Sequence, residues 1–362
     1  MKRIALFFWI AFIALPGFGQ VEQTQWTLVD AERDDRQIPC EVWYPSEPAS
    51  MLPAVVFAHG FVMGADDYTG LAEALATEGY AFVSIATEQG FTPDHEAYGQ
   101  DLAFVADEIA ANAVGGVLEG QFNGRTAIGG HSMGGGATWL SAAAQPQIDA
   151  VFVLAPAETN PSAIAAGPAM NVPAMVVSGV DDAVTPPAVH HAPIYGSAVN
   201  APCRALVSIP DGGHCGFADP GTLCDLGELG FQGVSHAEQL ALTVGVVLPW
   251  LDAFLKDDPA ALDALEQSAN DAGLDLELSC ELGTYPESAE PKGFEAAYQN
   301  PPAGLVLKNP AETPICLKLW SIHGTIVMSR TLEPLERWAP DVQHGMYVVT
   351  AEGFPARSVV VR

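Results

Sequence analysis

Short apolar blocks recur through the first two thirds of the chain and alternate with segments whose apolar residues fall at helical spacing. The clearest block opens the stretch AVVFAHGF at residues 54–61, with the uninterrupted hydrophobicity of a strand covered on both faces. Further blocks at 81–86, 125–130, 148–154, 173–178 and 204–209 read as strands, the last of these closing the series. Segments 68–78, 98–113, 137–144 and 237–255 read as the intervening and closing helices. Two strand-like segments, 24–29 and 38–44, come before this series, separated by a charged turn around Asp34 and Asp35. Strands alternating with helices in this way predict an α/β fold, a mostly parallel, doubly wound sheet with helices on both faces.

The pattern changes after residue 256. Residues 257–303 are rich in Asp, Glu, Ala, Gly and Pro and read as a helix end followed by a linker. Short alternating segments at 305–307, 315–322, 325–329, 346–350 and 357–361 then predict a small C-terminal β-sandwich. At the other end, Lys2 and Arg3 precede an apolar run from Ile4 to Leu15 and the small-residue stretch Pro16 to Gln20. That order of charge, apolar run and small residues is a secretory signal, with cleavage near Gly19 or Gln20, and the run is short of the ~20 residues of a membrane anchor. The expected organisation is a signal at 1–19, a catalytic domain at 20–256, a helix end and linker at 257–303, and a β-sandwich at 304–362.

Composition narrows the function. At 362 residues and 49% hydrophobic residues the chain can bury a large core. Its formal charge is −30, and between Ile38 and Leu255 the basic residues are Arg125 and Arg204 alone. Such a field repels nucleic acid and anionic lipid, disfavours anionic substrates and points to a saline habitat, where counterions screen the self-repulsion. The six cysteines, Cys40, Cys203, Cys215, Cys224, Cys280 and Cys316, form an even set in an exported chain. Cys215 and Cys224 are the best pair because they share a short Gly-rich loop, whereas the remaining pairing is not legible. No zinc-ligand spacing is present, and the His190–His191 doublet reads as a polar helix face rather than a metal site.

The candidate chemistry sits in TAIGGHSMGGGA, residues 126–137. Gly130, His131, Ser132, Met133 and Gly134 make G-x-S-x-G between an expected strand and an expected helix, the turn that presents a nucleophilic serine. Glycine is needed on either side because the chain bends too tightly for side chains there. In open α/β sheets reactive groups gather beyond the carboxyl ends of the strands. Four such ends carry reactive residues here: His59–Gly60–Phe61, the Ser132 turn, Asp181–Asp182, and the stretch from Asp211 to His214.

A serine hydroxyl needs a base and a group to orient that base. His214, after the last expected strand, is placed to be the base, and the acid falls between it and Ser132 in chain order. Asp181 and Asp182 compete for that role, since spacing does not separate neighbouring aspartates; Asp211 lies so near His214 that it reads as a turn residue. The oxyanion donors expected by position are the backbone amides of Met133, after the nucleophile, and Phe61, after the third strand. Their side chains would flank an apolar acyl site suited to an uncharged ester.

The motifs HGF at 59–61, GHSMGGG at 130–136, DAVTPP at 182–187 and GGHCGF at 212–217 resemble those of secreted bacterial α/β-hydrolases related to cutinases, polyester hydrolases and chlorophyllase-like esterases. The resemblance covers roughly residues 25–255. It implies the α/β-hydrolase fold and selects Asp182, because the aspartate of these relatives stands two residues before the valine of D-x-V-x-P. It also gives Phe61 a second role as substrate clamp. The aromatic residue that some polyester hydrolases carry just before the nucleophile is His131 here, as in many cutinases and ordinary esterases, which counts against strong activity on aromatic polyesters.

The expected site is therefore Ser132, Asp182 and His214, with Phe61 and Met133 as oxyanion donors and Phe61, His131 and Met133 around the substrate, without metal or cofactor. Between the strands ending near Leu154 and starting near Pro173 there is too little chain for a large helical cap, so residues 157–164 form one rim of an open cleft. The C-terminal stretches LVLKNPAE, HGMYVVTAEG and SVVVR resemble the sorting domain of proteins exported by the type IX route, which implies a partner in the secretion machinery. A carbohydrate- or polymer-binding module is the competing reading, although Trp320 and Trp338 are isolated rather than set in an aromatic row. The expected protein is a secreted, monomeric serine carboxylic ester hydrolase; a cutinase or polyester hydrolase, and a binding protein that keeps the fold without the chemistry, are the alternatives.

Overall fold

A computed structural model describes residues 20–144, 148–221 and 223–280, and beyond them the strands between 295 and 361 named below. The expected signal segment 1–19 lies outside the described residues. The chain divides into two compact units, Met1–Glu281 and Leu282–Arg362.

The first unit is built on nine strands: β1 (Val21–Asp30), β2 (Arg36–Pro45), β3 (Leu52–Ala58), β4 (Ala81–Ile85), β5 (Phe122–His131), β6 (Ala150–Leu154), β7 (Ala174–Gly179), β8 (Cys203–Ile209) and β9 (Asp275–Cys280). They form one sheet in the order β1-β2-β4-β3-β5-β6-β7-β8-β9. From β4 through β8 every neighbouring pair is parallel, whereas β1, β2 and β9 join antiparallel at the edges. The helices are α1 (Thr69–Thr77), α2 (His95–Ala110), α3 (Met133–Ala144), α4 (Ala163–Ala166), α5 (His191–Ser197), α6 (His236–Leu255) and α7 (Ala260–Asp271).

The apolar runs have the cause expected of them. Along β3, Ala54, Val56 and Ala58 pack into one core layer with Tyr98 and Trp139, while Val55 and Phe57 pack into a second with Tyr68 and Trp250. Neither face of the strand meets water, so no position can be polar without losing burial worth about 25 cal/mol per Å². Helix α6 is long and apolar enough to cross a membrane by length and composition; here Val247, Trp250 and Leu251 are fully buried in the second layer.

Three expectations change. The strand 204–209 is not the last: residues 260–280, read as helix end and linker, form α7 and the edge strand β9, paired antiparallel to β8. Strand β9 (DLELSC) alternates exposed and half-buried positions, so its acidic outward residues disguise it as linker. The helix after the serine begins at Met133 rather than 137, running straight through Gly134, Gly135 and Gly136 despite their poor helix propensity. Close packing overrides propensity there, since a Cβ on Gly136 would stand 2.2 Å from the Ala157 carbonyl oxygen.

Two disulfides are present among the described residues. Cys215–Cys224 is the expected pair, and Cys203–Cys280 joins β8 to β9. The Cys40 thiol is free and buried, and burial pushes it up to about 12, so it is inert.

The second unit contains two antiparallel sheets. One has the order β10-β11-β14, from β10 (Glu295–Gln299), β11 (Gly304–Lys308) and β14 (Arg337–Trp338); the other has the order β13-β12-β15-β16, from β12 (Ile315–Ser321), β13 (Ile326–Leu332), β15 (Gly345–Ala351) and β16 (Phe354–Val361). Strand β10 falls in the expected linker, and β14 was not anticipated.

Candidate active site

Strand β5 delivers its last residues, Gly130 and His131, to a turn at which Ser132 takes a left-handed conformation, φ 55°. A non-glycine residue with that φ is strained, and such strain persists only where the surroundings impose it. The imposing contacts are visible. The Ser132 N–H donates to the Leu154 carbonyl at 3.0 Å, and its own carbonyl accepts from Ala157 N at 2.8 Å. A Cβ on Gly130 would meet the Gly134 carbonyl oxygen at 2.5 Å, and one on Gly134 would meet the Ala58 carbonyl oxygen at 2.2 Å. The second of these close approaches presses the start of α3 against the end of β3.

The three expected residues meet. His214 Nε2 lies 2.9 Å from Ser132 Oγ, and His214 Nδ1 lies 2.7 Å from Asp182 Oδ2. Asp182 is saturated with donors: Oδ1 accepts the amides of Val184 and Thr185 at 2.8 and 2.7 Å, and Oδ2 accepts the Thr185 hydroxyl at 2.8 Å. Burial opposes the charge on Asp182, but the hydrogen bond and charge of the His214 ring, with those Thr185 donors, outweigh it and hold the carboxyl at about 2. Asp182 is therefore ionised at any pH where an imidazole titrates. Asp181 is exposed, with its amide donating to the Gly212 carbonyl, and Asp211 occupies a turn at φ 54°.

His214 is clamped through its backbone. Glu228 accepts the His214 amide at 2.6 Å and the Cys215 amide at 2.8 Å, one on each carboxylate oxygen. The His214 carbonyl accepts from His131 Nε2 at 3.1 Å. On its other nitrogen His131 meets the Tyr68 hydroxyl at 2.8 Å, and that oxygen accepts the Gly60 amide at 2.8 Å. One phenol and one imidazole thus tie the HGF loop, the serine turn and the histidine loop together. His131, expected beside the substrate, is fully buried and serves as this strut. Phe61 is 49% exposed and stands edge to face with Phe91, which is 81% exposed, whereas Met133 is buried at the head of α3.

A second serine–histidine pair stands behind the same aspartate. Ser178 Oγ, at the end of β7, is 2.7 Å from His191 Nδ1, and His191 Nε2 is 3.5 Å from Asp182 Oδ2 and 3.0 Å from Thr185 Oγ1. His191, read from sequence as part of a polar helix face, is instead fully buried, because α5 turns this ring inward toward Asp182. His190 accepts the Glu158 amide on Nδ1 at 2.9 Å. Tyr68, Thr185, Ser178 and Glu228 were not singled out from sequence, and His191 was named only for a polar helix face; only Thr185, inside DAVTPP, lay within a motif. Among the described residues no cluster of His, Cys, Asp and Glu is arranged to hold a metal.

A largely parallel mixed sheet, a strained serine between strand and helix, and an imidazole linking that serine to a buried carboxylate make a site of the serine-hydrolase type on an α/β-hydrolase-like fold. The family model for PET hydrolase-like proteins (PETase) matches residues 39–234, more than half of the chain, and the chain belongs to that family. It is 28% identical over 174 residues to a bis(hydroxyethyl) terephthalate hydrolase of Streptomyces coelicolor, covering 48% of this chain and 54% of that protein. It is 26% identical over the same length to cutinase est1 of Thermobifida alba and to cutinase 2 of Thermobifida cellulosilytica, covering 56% and 64% of those proteins. The match thus spans less than two thirds of each relative's length.

Proposed function

We propose that this protein is a serine carboxylic ester hydrolase in which Ser132 is the nucleophile, His214 the base and Asp182 the group that orients it. The observation that carries the reading is the unbroken series from Ser132 Oγ to His214 at 2.9 Å and from His214 to Asp182 at 2.7 Å, starting at a serine with φ 55°. His214 Nε2 takes the hydroxyl proton as Oγ adds to the ester carbonyl. The amides of Phe61 and Met133 receive the oxyanion, and Asp182 steadies the imidazolium. The imidazolium then protonates the departing alcohol. Water, deprotonated by the same ring, releases the acid from the acyl-enzyme.

An uncharged ester suits a chain of formal charge −30 that carries exposed apolar side chains at Phe61, Phe91 and Val184. Polyester hydrolysis is the second reading, favoured by the family match and by the edge-to-face Phe61–Phe91 pair, which offers an aromatic surface next to the expected oxyanion loop. The chain is further read as exported and monomeric, with 1–19 removed and the second unit a small β-sandwich for sorting. The two disulfides and the two antiparallel sheets support export and the sandwich respectively.

The test is a panel of p-nitrophenyl esters of rising chain length beside a polyester film, run with wild type and Ser132→Ala. Turnover lost in the variant supports the nucleophile, and release of soluble product from the film separates a polyester hydrolase from a small-ester esterase. A wild type inactive on every substrate leaves the binding protein as the reading.

A further inference from the structure

The groups behind Asp182 form a connected set of hydrogen bonds that the proposed reaction does not use, with Thr185 Oγ1 also reaching the Ala155 carbonyl at 3.2 Å. Thr185 Oγ1 lies 2.8 Å from Asp182 Oδ2, 3.0 Å from His191 Nε2 and 2.9 Å from His214 Nδ1, so a single hydroxyl touches the acid and both imidazoles. Ser178 Oγ meets the far nitrogen of His191 at 2.7 Å. All of these side chains are buried, so water does not substitute for a missing partner.

Two arrangements of the protons exist. With the His191 proton on Nδ1, that nitrogen donates to Ser178, and a bare lone pair on Nε2 faces the Asp182 carboxylate at 3.5 Å. The Thr185 hydroxyl then either turns toward His191, so that Asp182 Oδ2 loses a donor, or stays on Asp182 or the Ala155 carbonyl and leaves Nε2 without one. With the proton on Nε2, Ser178 donates to Nδ1, Nε2 donates to Thr185 Oγ1, and the Thr185 proton goes to Asp182. Every donor then finds an acceptor, and the N–H rather than the lone pair faces the negative charge. Burial keeps His191 neutral by pushing it down to about 4, so a third, doubly protonated arrangement is not populated near neutral pH.

We propose that Ser178, His191 and Thr185 are positioning residues, a one-way relay that holds Asp182 in the single orientation that accepts from His214. The proposal rests on the ester hydrolase reading with His214 as base. It assigns Ser178–His191 a supporting role at the same aspartate rather than a second reaction. Because the relay acts on the orientation of the base and not on the substrate, its loss is read in kcat and leaves KM unmoved.

The test uses the full chain, with the folded fraction of each variant checked by thermal melting. Thr185→Val keeps the shape and removes the hydroxyl, and kcat on a p-nitrophenyl ester is expected to fall about 10- to 100-fold, the cost of one unmade buried hydrogen bond to a charged group, with KM within about twofold. Thr185→Ser restores the hydroxyl and is expected to return kcat to within about threefold of wild type. A folded Thr185→Val with wild-type kcat, or a Thr185→Ser no better than the valine variant, overturns the relay. Should Thr185→Val not fold, the imidazole ¹⁵N spectrum of the wild type decides: the His191 proton on Nε2 supports the relay, and on Nδ1 overturns it. Ser132→Ala separates the two readings. If it is as active as wild type, the assignment of Ser132 as nucleophile and His214 as base fails and the relay with it, whereas an inactive Ser132→Ala beside an unimpaired Thr185→Val removes the relay alone.

Discussion

Ser132 and Ser178 are near twins by distance, each within 3 Å of an imidazole that looks onto Asp182. They differ in everything else. Ser132 stands at a left-handed turn at the head of a 12-residue helix and keeps 8% of its surface exposed; Ser178 is an interior strand residue, 2% exposed and paired in register with Ser208. Asp182 accepts directly from His214 at 2.7 Å but is 3.5 Å from His191. On the proposed reading, contact between a serine and a histidine does not by itself make a nucleophile: the backbone must also present the hydroxyl to substrate and place helix-start amides where the oxyanion forms.

The sharpest way to break this contrast is to remove each hydroxyl. Ser132→Ala is expected to lower kcat about 10⁶-fold on any ester, as loss of a nucleophile does elsewhere, while Ser178→Ala should stay within about fivefold, since its hydroxyl only fixes a proton on His191. Steady-state assays on one p-nitrophenyl ester compare them directly, and equal losses would erase the distinction. Asp182→Asn comes next, with kcat expected to fall about 10⁴-fold, because the amide leaves His214 in the wrong tautomer. Glu228→Gln loosens only the backbone clamp on His214 and should cost about tenfold in kcat, checked by the same assay.

The smallest effect concerns acid stability. His191 is held down to about 4 and His131 well below its ordinary value, burial being the main cause in both. The unfolded chain thus takes up protons at higher pH than the folded one. Stability from these neutral rings is complete above about 6.5 and is lost as pH falls toward the folded values. For Asp182 the same sign applies lower down, between its ordinary value near 3.8 and about 2. Melting temperatures from pH 7 to 4 should fall for wild type and fall less steeply for His191→Gln, which cannot charge.

The parts of the molecule legible from sequence are those where one physical demand dominates. Two-sided burial writes uninterrupted apolar runs such as 54–58, and the tight serine turn writes glycine at 130 and 134. Where demands compete, the pattern misleads. Strand β9 is half-covered and carries acidic residues outward, so it read as linker; α3 begins within a glycine run whose local preference is against helix. His131 and His191 are polar residues in the core, and their partners Tyr68, His214, Ser178 and Thr185 are brought to them only by the completed fold. Chain order in this architecture picked out Ser132, Asp182 and His214, which the fold brings together, but the residues around them have no such order.

Strand β9 carries one more consequence. During synthesis the polypeptide grows from the N-terminus, and until residues 275–280 have emerged the outer side of β8 offers unpaired amides and carbonyls to any passing strand. A nascent hydrolase halted just after α6 would already hold Ser132, Asp182 and His214 yet carry an adhesive border. Its release as a well-behaved molecule waits on the six residues of β9.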